Sequence, residues 1–427
     1  MTDYPTALPE HGRPARQLLD EIAAGRNDDL DWQSGKAFSL VYNAADEDLE
    51  DLQHGVADLF LHDNALNPMA YPSLRAMESS IVAMAADLFG TDPRAGALTS
   101  GGTESIFCAL QVARDHARKS LDIPEPTAVI PATAHPAFDK AAKYLDIAVN
   151  RVPVGSDGRA DVGAMAQAVD DHTALLVGSA PCYPYGVIDP ITDIASLAAD
   201  RGILCHVDAC LGGWLLPFWA AAGQPDDRPL PPWDFSIDGV TSLSADIHKY
   251  GYAYKGASVV MYRERALLKN QFFSFEDWPG GFYGSATPAG TRPAPPIAGA
   301  WATLTHLGRD GLVHKAAEVR DTTERFLRFL DDTEGLVLAF RPDMSVVMFG
   351  TTDPAHNAPL AAELHAKGWN VDLQNEGLHL MFSPGHRAVL SDFEAAIVRS
   401  LAVLRDSPPT GAPLTDATAG GYAGRAV

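Results

Sequence analysis

The chain has 427 residues, 46% hydrophobic and 20% charged, enough for two or three domains with substantial cores. Its 55 Asp and Glu against 32 Lys and Arg leave a net charge of −23. That balance excludes a nonspecific hold on nucleic acid or anionic membranes and obliges any anionic ligand to find a local cationic site.

Four cysteines, Cys108, Cys182, Cys205 and Cys210, are too few for a disulfide framework. No secretory leader is recognisable, and no run approaches the ~18 apolar residues of a membrane span, so a cytoplasmic setting is expected.

Residues 1 to about 34 carry a weak helical stripe, Leu18, Leu19 and Ile22, and read as an arm. Apolar positions recur at helical spacing through Leu49, Leu52, Val56, Leu59 and Phe60, and again through Met77, Ile81, Met84, Ala85 and Leu88. Between them Asn64, Asn67, Pro68 and Pro72 mark an irregular loop.

From about 97 to 262, apolar runs at 128–130, 147–152, 174–177, 203–207, 240–243 and 258–261 alternate with helical stretches at 105–118, 137–145, 162–169 and 191–200. This alternation predicts an α/β domain with a mostly parallel sheet, whose ligands bind beyond the carboxyl ends of the strands. A glycine- and proline-rich loop over 278–301 leads into a long helix over 297–330. Short strands (336–340, 345–350, 369–374, 378–383) and helices (358–366, 390–404) then predict a small α+β unit. The expected division is an N-terminal helical arm and substrate-site segment over 1–70, a large domain over 71–305, a small C-terminal domain over 306–405, and a tail over 406–427 whose composition fits disorder.

Four stretches place reactive side chains at strand ends. In LTSGGTESIFCAL (98–110), Gly101 and Gly102 admit an anion where Thr103, Ser105 and the free N–H groups of a helix start favour phosphate; a plain capping turn uses the same residues. In PATAHPAFDKAAKY (131–144), His135 is placed to stack on a planar cofactor, or to serve structurally. In ILCHVDACLGG (203–213), Asp208 ends a buried strand, where a carboxylate needs a cationic partner such as a pyridinium nitrogen. Strand alternation sends Cys205 and His206 to opposite faces, so no metal site is expected there. In TSLSADIHKYGYAYKGASVVMY (241–262), Lys249 follows His248 at a strand end, a setting whose desolvation frees an amine as a nucleophile. Each feature alone has an ordinary structural explanation. In this order on one sheet they fit pyridoxal 5′-phosphate, with Lys249 as the Schiff-base residue.

Together with KAFSLVY and YPSLRAMESSIV upstream and GGFYGSATPAGTRP downstream, these motifs run from about 36 to 310. The set resembles the group II pyridoxal-phosphate-dependent decarboxylase superfamily, and within it the sphingosine-1-phosphate lyases. The resemblance implies a fold-type I enzyme working as a homodimer with shared sites. Lys249 would carry the cofactor, Asp208 would pair with its ring nitrogen, His135 would stack on the ring, and Gly102, Thr103 and His248 would hold its phosphate. Gly290 and Thr291 would reach that phosphate from the neighbouring subunit, and Tyr283 would lie near the substrate.

Tyr42, Lys255 and Asn67 match the substrate-phosphate site, except that LNPMAYPSLR has Asn67 where lyases carry a histidine; Asn donates a hydrogen bond but no charge. The implied reaction is retro-aldol cleavage of a phosphorylated long-chain 3-hydroxy amine into a long-chain aldehyde and phosphoethanolamine. The rival reading is a pyridoxal-phosphate-dependent amino-acid decarboxylase on the same scaffold.

Overall fold

Seven strands build the central sheet: β1 Gly96–Thr99, β2 Thr127–Pro131, β3 Ala148–Val152, β4 Thr173–Ser179, β5 Leu204–Asp208, β6 Ser242–Ala245 and β7 Ser258–Tyr262, in the spatial order β1-β7-β6-β5-β4-β2-β3. This computed structural model describes residues 4–223, 229–374 and 377–406; the expected tail, from 407 on, lies outside the described residues.

Strands β2 to β6 run parallel, and β7 is antiparallel to both β6 and β1. β1 therefore points the same way as β6, and the carboxyl ends of β1, β2, β4, β5 and β6 open on one edge. β7 breaks the parallel rule for a local reason. A parallel return needs a crossover of about a dozen residues or more, usually helical, whereas residues 246–257 between β6 and β7 contain no helix.

β4 and β5 are buried at every position, and their sequences, TALLVGS and LCHVD, lack the polar alternation of a half-exposed strand. Side chains alternate between two apolar layers. Val129, Leu176, Val207 and Leu243 pack with Ile81, Phe89, Ile194 and Ile297 on one face, while Ile130, Leu175, Val177 and Leu204 pack with Ile106 and Phe138 on the other.

Pro72, expected in a loop, is instead the first residue of the helix Pro72–Phe89. A helix start leaves its first N–H groups unbonded, so the ring costs nothing there, and Gly90 at φ +77° ends the helix. The glycine-rich stretch after β7 hides a hairpin, β8 Phe273–Phe275 paired with β9 Tyr283–Ser285. The long helix Ala294–Asp332 bends where Gly308 takes φ +58°.

The small antiparallel sheet contains β10 Leu336–Leu338, β11 Val346–Thr351, β12 Asp372–Gln374 and β13 Gly377–Met381, ordered β10-β11-β13-β12. β12 is shorter than the run expected over 369–374 because Asn370 bonds elsewhere: its N–H donates to Lys36 O (2.8 Å), and its carbonyl accepts from Phe38 N (3.0 Å). Phe38 then stacks on His386, with ring centroids 4.4 Å apart. The segment before Tyr42 is thereby fastened to the small sheet.

Candidate active site

β5 delivers Asp208. The residue is 7% exposed, and its Oδ1 accepts from Cys210 N (3.1 Å) and Ser244 Oγ (3.4 Å). Ser244 also stands 3.3 Å from His206 Nε2, and His206 Nδ1 is 2.9 Å from Ser242 Oγ. Burial pushes the His206 pKa down to about 4 against the pull of Asp208, so the ring is neutral and tethered to β6 through both nitrogens.

Beyond β6 the chain turns tightly through Asp246, His248 and Lys249. Lys249 N donates to Asp246 O (3.2 Å) and Tyr252 N to Lys249 O (3.0 Å), which curls the amine back toward the sheet end. Tyr252 holds φ +59°, a conformation that costs a bulky residue of order 1–3 kcal/mol.

Lys249 Nζ lies 2.9 Å from Asp246 Oδ2, and His248 Nε2 lies 3.6 Å from the same oxygen. Burial raises the Asp246 pKa, but the charges of Lys249 and His248 and the Ser258 hydroxyl outweigh it, leaving the carboxyl below its usual range. Nothing in the sequence pattern singles out Asp246 beyond its place three residues before Lys249.

β1 delivers the anion turn. Gly101 caps the helix Gly102–Ser120 in an extended conformation. A Cβ on Gly102 would stand 2.7 Å from Cys210 Sγ and 2.9 Å from Asp246 Oδ2, so space admits only glycine. Ser105, expected to face a phosphate, is fully buried and bonded to Thr99 Oγ1 (2.6 Å) and Ser258 Oγ (2.9 Å); it locks the helix to β7. Thr103 stays exposed at the turn.

His135, after β2, accepts from Ala137 N (3.1 Å) at Nδ1, which assigns the ring proton to Nε2. Burial lowers its pKa against the attraction of Asp208, giving a neutral ring at neutral pH.

These side chains converge. Gly101, Gly102, Thr103, His135, Asp208, Asp246, His248, Lys249, Lys255 and Tyr42 line one cavity of about 400 Å³, joined by Tyr183, whose hydroxyl donates to Asp372 of β12 (3.3 Å). Lys255 Nζ donates to His248 O (3.3 Å) and stands 5.0 Å from the Tyr42 ring. Lys255 remains solvent-accessible, yet the protein around its ammonium and repulsion from Lys249 bring its pKa down to about 8. Asn67, Tyr283 and Gly290 do not join this group within one chain. They line a second cavity of about 300 Å³ beside the Glu78–Arg292 ion pair, and Thr291 is exposed.

Residues 2–351 match the pyridoxal-dependent decarboxylase conserved domain. The chain belongs to this family. A sphingosine-1-phosphate lyase of Oryza sativa is 37% identical over 413 residues, covering 94% of this chain and 75% of the relative. Sphingosine-1-phosphate lyase 1 of Rattus norvegicus is 42% identical over 370 residues, 86% of this chain and 64% of the relative.

Among solved structures, a Burkholderia pseudomallei sphingosine-1-phosphate lyase superposes with TM-score 0.88 at 34% identity, covering 94% of both chains. A Lactobacillus brevis glutamate decarboxylase, TM-score 0.80 at 22% identity, shares the fold.

Pyridoxal phosphate, the cofactor of this decarboxylase family, fits the donor set. An amine, a buried strand-end carboxylate, a neutral imidazole and a glycine cradle at a helix start surround a cavity within the ~300–1,000 Å³ range of small-molecule sites.

Proposed function

We propose that this enzyme is a lyase that cleaves a phosphorylated long-chain 3-hydroxy amine of the sphingosine 1-phosphate type into a long-chain aldehyde and phosphoethanolamine, as a cytoplasmic homodimer. One observation carries the reading: a cavity with cofactor-binding chemistry at one end has Lys255 and Tyr42 on its wall, a cation over an aromatic ring suited to a second phosphate. The sphingosine-1-phosphate lyase relatives favour this reading over an amino-acid decarboxylase.

Bound pyridoxal phosphate supplies the electron sink that lets the bond between Cα and Cβ break. Lys249 anchors it, and Gly102, Thr103 and His248 receive its phosphate. Asp208, fixed by Cys210 N and Ser244, presents a carboxylate to the ring nitrogen. His135 offers a neutral face to the ring. Lys255 and Tyr42 orient the substrate phosphate, and the base that takes the proton of the 3-hydroxyl is the Lys249 amine, Tyr283 or the phosphate itself.

The homodimer is supported by the β8–β9 hairpin, where Phe272, Phe273, Phe275, Trp278 and Phe282 are all exposed beside Tyr283. Tyr283, Gly290, Thr291 and Asn67 are then contributions to the partner's cavity. A cytoplasmic setting is supported by Cys108, Cys182, Cys205 and Cys210, all buried and unbridged. Among the described residues no helix is long and apolar enough to cross a membrane.

The reading is tested by product analysis: phosphoethanolamine and aldehyde in equal amounts support the lyase. Carbon dioxide from an L-amino acid, with no aldehyde, supports the decarboxylase.

A further inference from the structure

Asp246 is 2% exposed, and its Oδ1 has no hydrogen-bond partner among the described residues, while Oδ2 holds Lys249 Nζ at 2.9 Å. A carboxylate buried this deeply, with one oxygen left unbonded, is costly to desolvate, and its charge is balanced chiefly by the Lys249 amine.

We propose that Asp246 is a positioning residue that keeps the Lys249 amine protonated and anchored whenever that amine is not bonded to the cofactor, so that loading and exchange at Lys249 are gated by a proton shared between the two side chains. The proposal rests on the reading of Lys249 as the cofactor-bearing residue. The Lys249 N–H bond breaks, its proton passes to Asp246 Oδ2, and the nitrogen keeps the electron pair. The free amine then condenses with the aldehyde of the cofactor; the carbon–nitrogen bond forms, and the aldehyde oxygen leaves as water with the two remaining amine protons. When the substrate amine displaces Lys249, the proton on Asp246 returns. No outside acid, base or oxidant is needed.

Other titratable groups face Asp246 and share its field. His248 lies on the same turn, Lys255 further along the same connection, Cys210 after β5, and His135 after β2. Ser258 of β7 and the backbone of Gly102 close the remaining sides. Lys249, at 2.9 Å from Asp246 Oδ2, stands closer than His248 at 3.6 Å, and its charge is the largest that favours the ionised carboxylate.

The test is reductive trapping. Protein freed of cofactor is mixed with pyridoxal phosphate between pH 5.5 and 9.5 and quenched with borohydride, and the modified lysine is mapped by mass spectrometry. Asp246→Asn is expected to move the trapping midpoint down by about one pH unit or more, since the nearby opposite charge that favours the ammonium is gone. Asp246→Glu is expected to restore it. An unchanged midpoint in Asp246→Asn, with the adduct still on Lys249, overturns the proposal. An adduct on another lysine in the unsubstituted protein overturns the assignment of Lys249 instead. If Asp246→Asn gives no cooperative melt, Asp246→Ser carries the same expectation and the same contrary result.

Discussion

Lys255 Nζ stands 5.0 Å from the centroid of the Tyr42 ring, and the Tyr42 hydroxyl reaches Met381 Sδ at 3.4 Å. A cation from the large domain and an aromatic ring fastened to the small sheet thus meet on the wall of the cofactor cavity. Loss of the cation should be felt by the substrate phosphate and hardly by the cofactor. Lys255→Ala is therefore expected to raise KM for the phosphorylated substrate about tenfold or more, equivalent to about 1.4 kcal/mol, while cofactor affinity changes little. Steady-state kinetics beside a cofactor titration separates the two; equal losses would place Lys255 with the cofactor.

The lowered pKa of Lys255, about 8, gives this contact a pH signature. The ammonium is present below that value and is lost as pH rises through it, while a phosphate monoester gains its second charge near about pH 6. kcat/KM should therefore peak between about pH 6 and 8 and fall on the alkaline side. Lys255→Arg, whose charge persists, should carry the alkaline limb upward. A limb that does not move in the arginine variant assigns the titration to another group.

Gly102→Ala would drive a methyl group to 2.7 Å from Cys210 Sγ and 2.9 Å from Asp246 Oδ2, at the turn expected to hold the cofactor phosphate. Cofactor affinity should fall at least about tenfold, read from the absorbance band during titration. Gly55→Ala is the control, because its Cβ meets nothing within 4 Å and it lies inside the helix Glu47–Leu59. That change should leave cofactor binding intact and stabilise the fold by up to about 1 kcal/mol.

Much of this site could be read before any coordinates. Asp208 stands out because the buried strand β5 ends in a charge, Lys249 because it follows His248 in the glycine-punctuated connection after β6, and Gly102 because two glycines open a helix. Asp246 escapes, since a small polar triplet says nothing about which oxygen will touch the amine three residues on. Ser105 misleads for a related reason: a serine at a helix start looks like an anion ligand until the helix packs it onto Thr99 and Ser258. The β8–β9 hairpin is hidden by glycine and proline, residues that weaken the local pattern without forbidding a short strand pair. Nor does a pattern along one chain reveal that Tyr283 and Asn67 line a cavity apart from Lys249.

That separation makes the shared-site dimer testable by complementation. Lys249→Ala and Tyr283→Phe should each be strongly impaired alone. When the two are unfolded and refolded together, random pairing under twofold symmetry leaves one intact site in each mixed dimer, so activity should return to about a quarter of the unsubstituted level. No recovery, with mixed dimers present by native mass spectrometry, would place Tyr283 in its own subunit's site or outside the chemistry.

The most direct measurement is incubation of the cofactor-loaded protein with sphingosine 1-phosphate, followed by mass spectrometry for the long-chain aldehyde, with Lys249→Ala alongside. Aldehyde and phosphoethanolamine released together by the unsubstituted protein, and absent from Lys249→Ala, are the predicted result. A full cofactor band with no aldehyde from the unsubstituted protein would contradict the assignment of this cavity to a phosphorylated long-chain substrate.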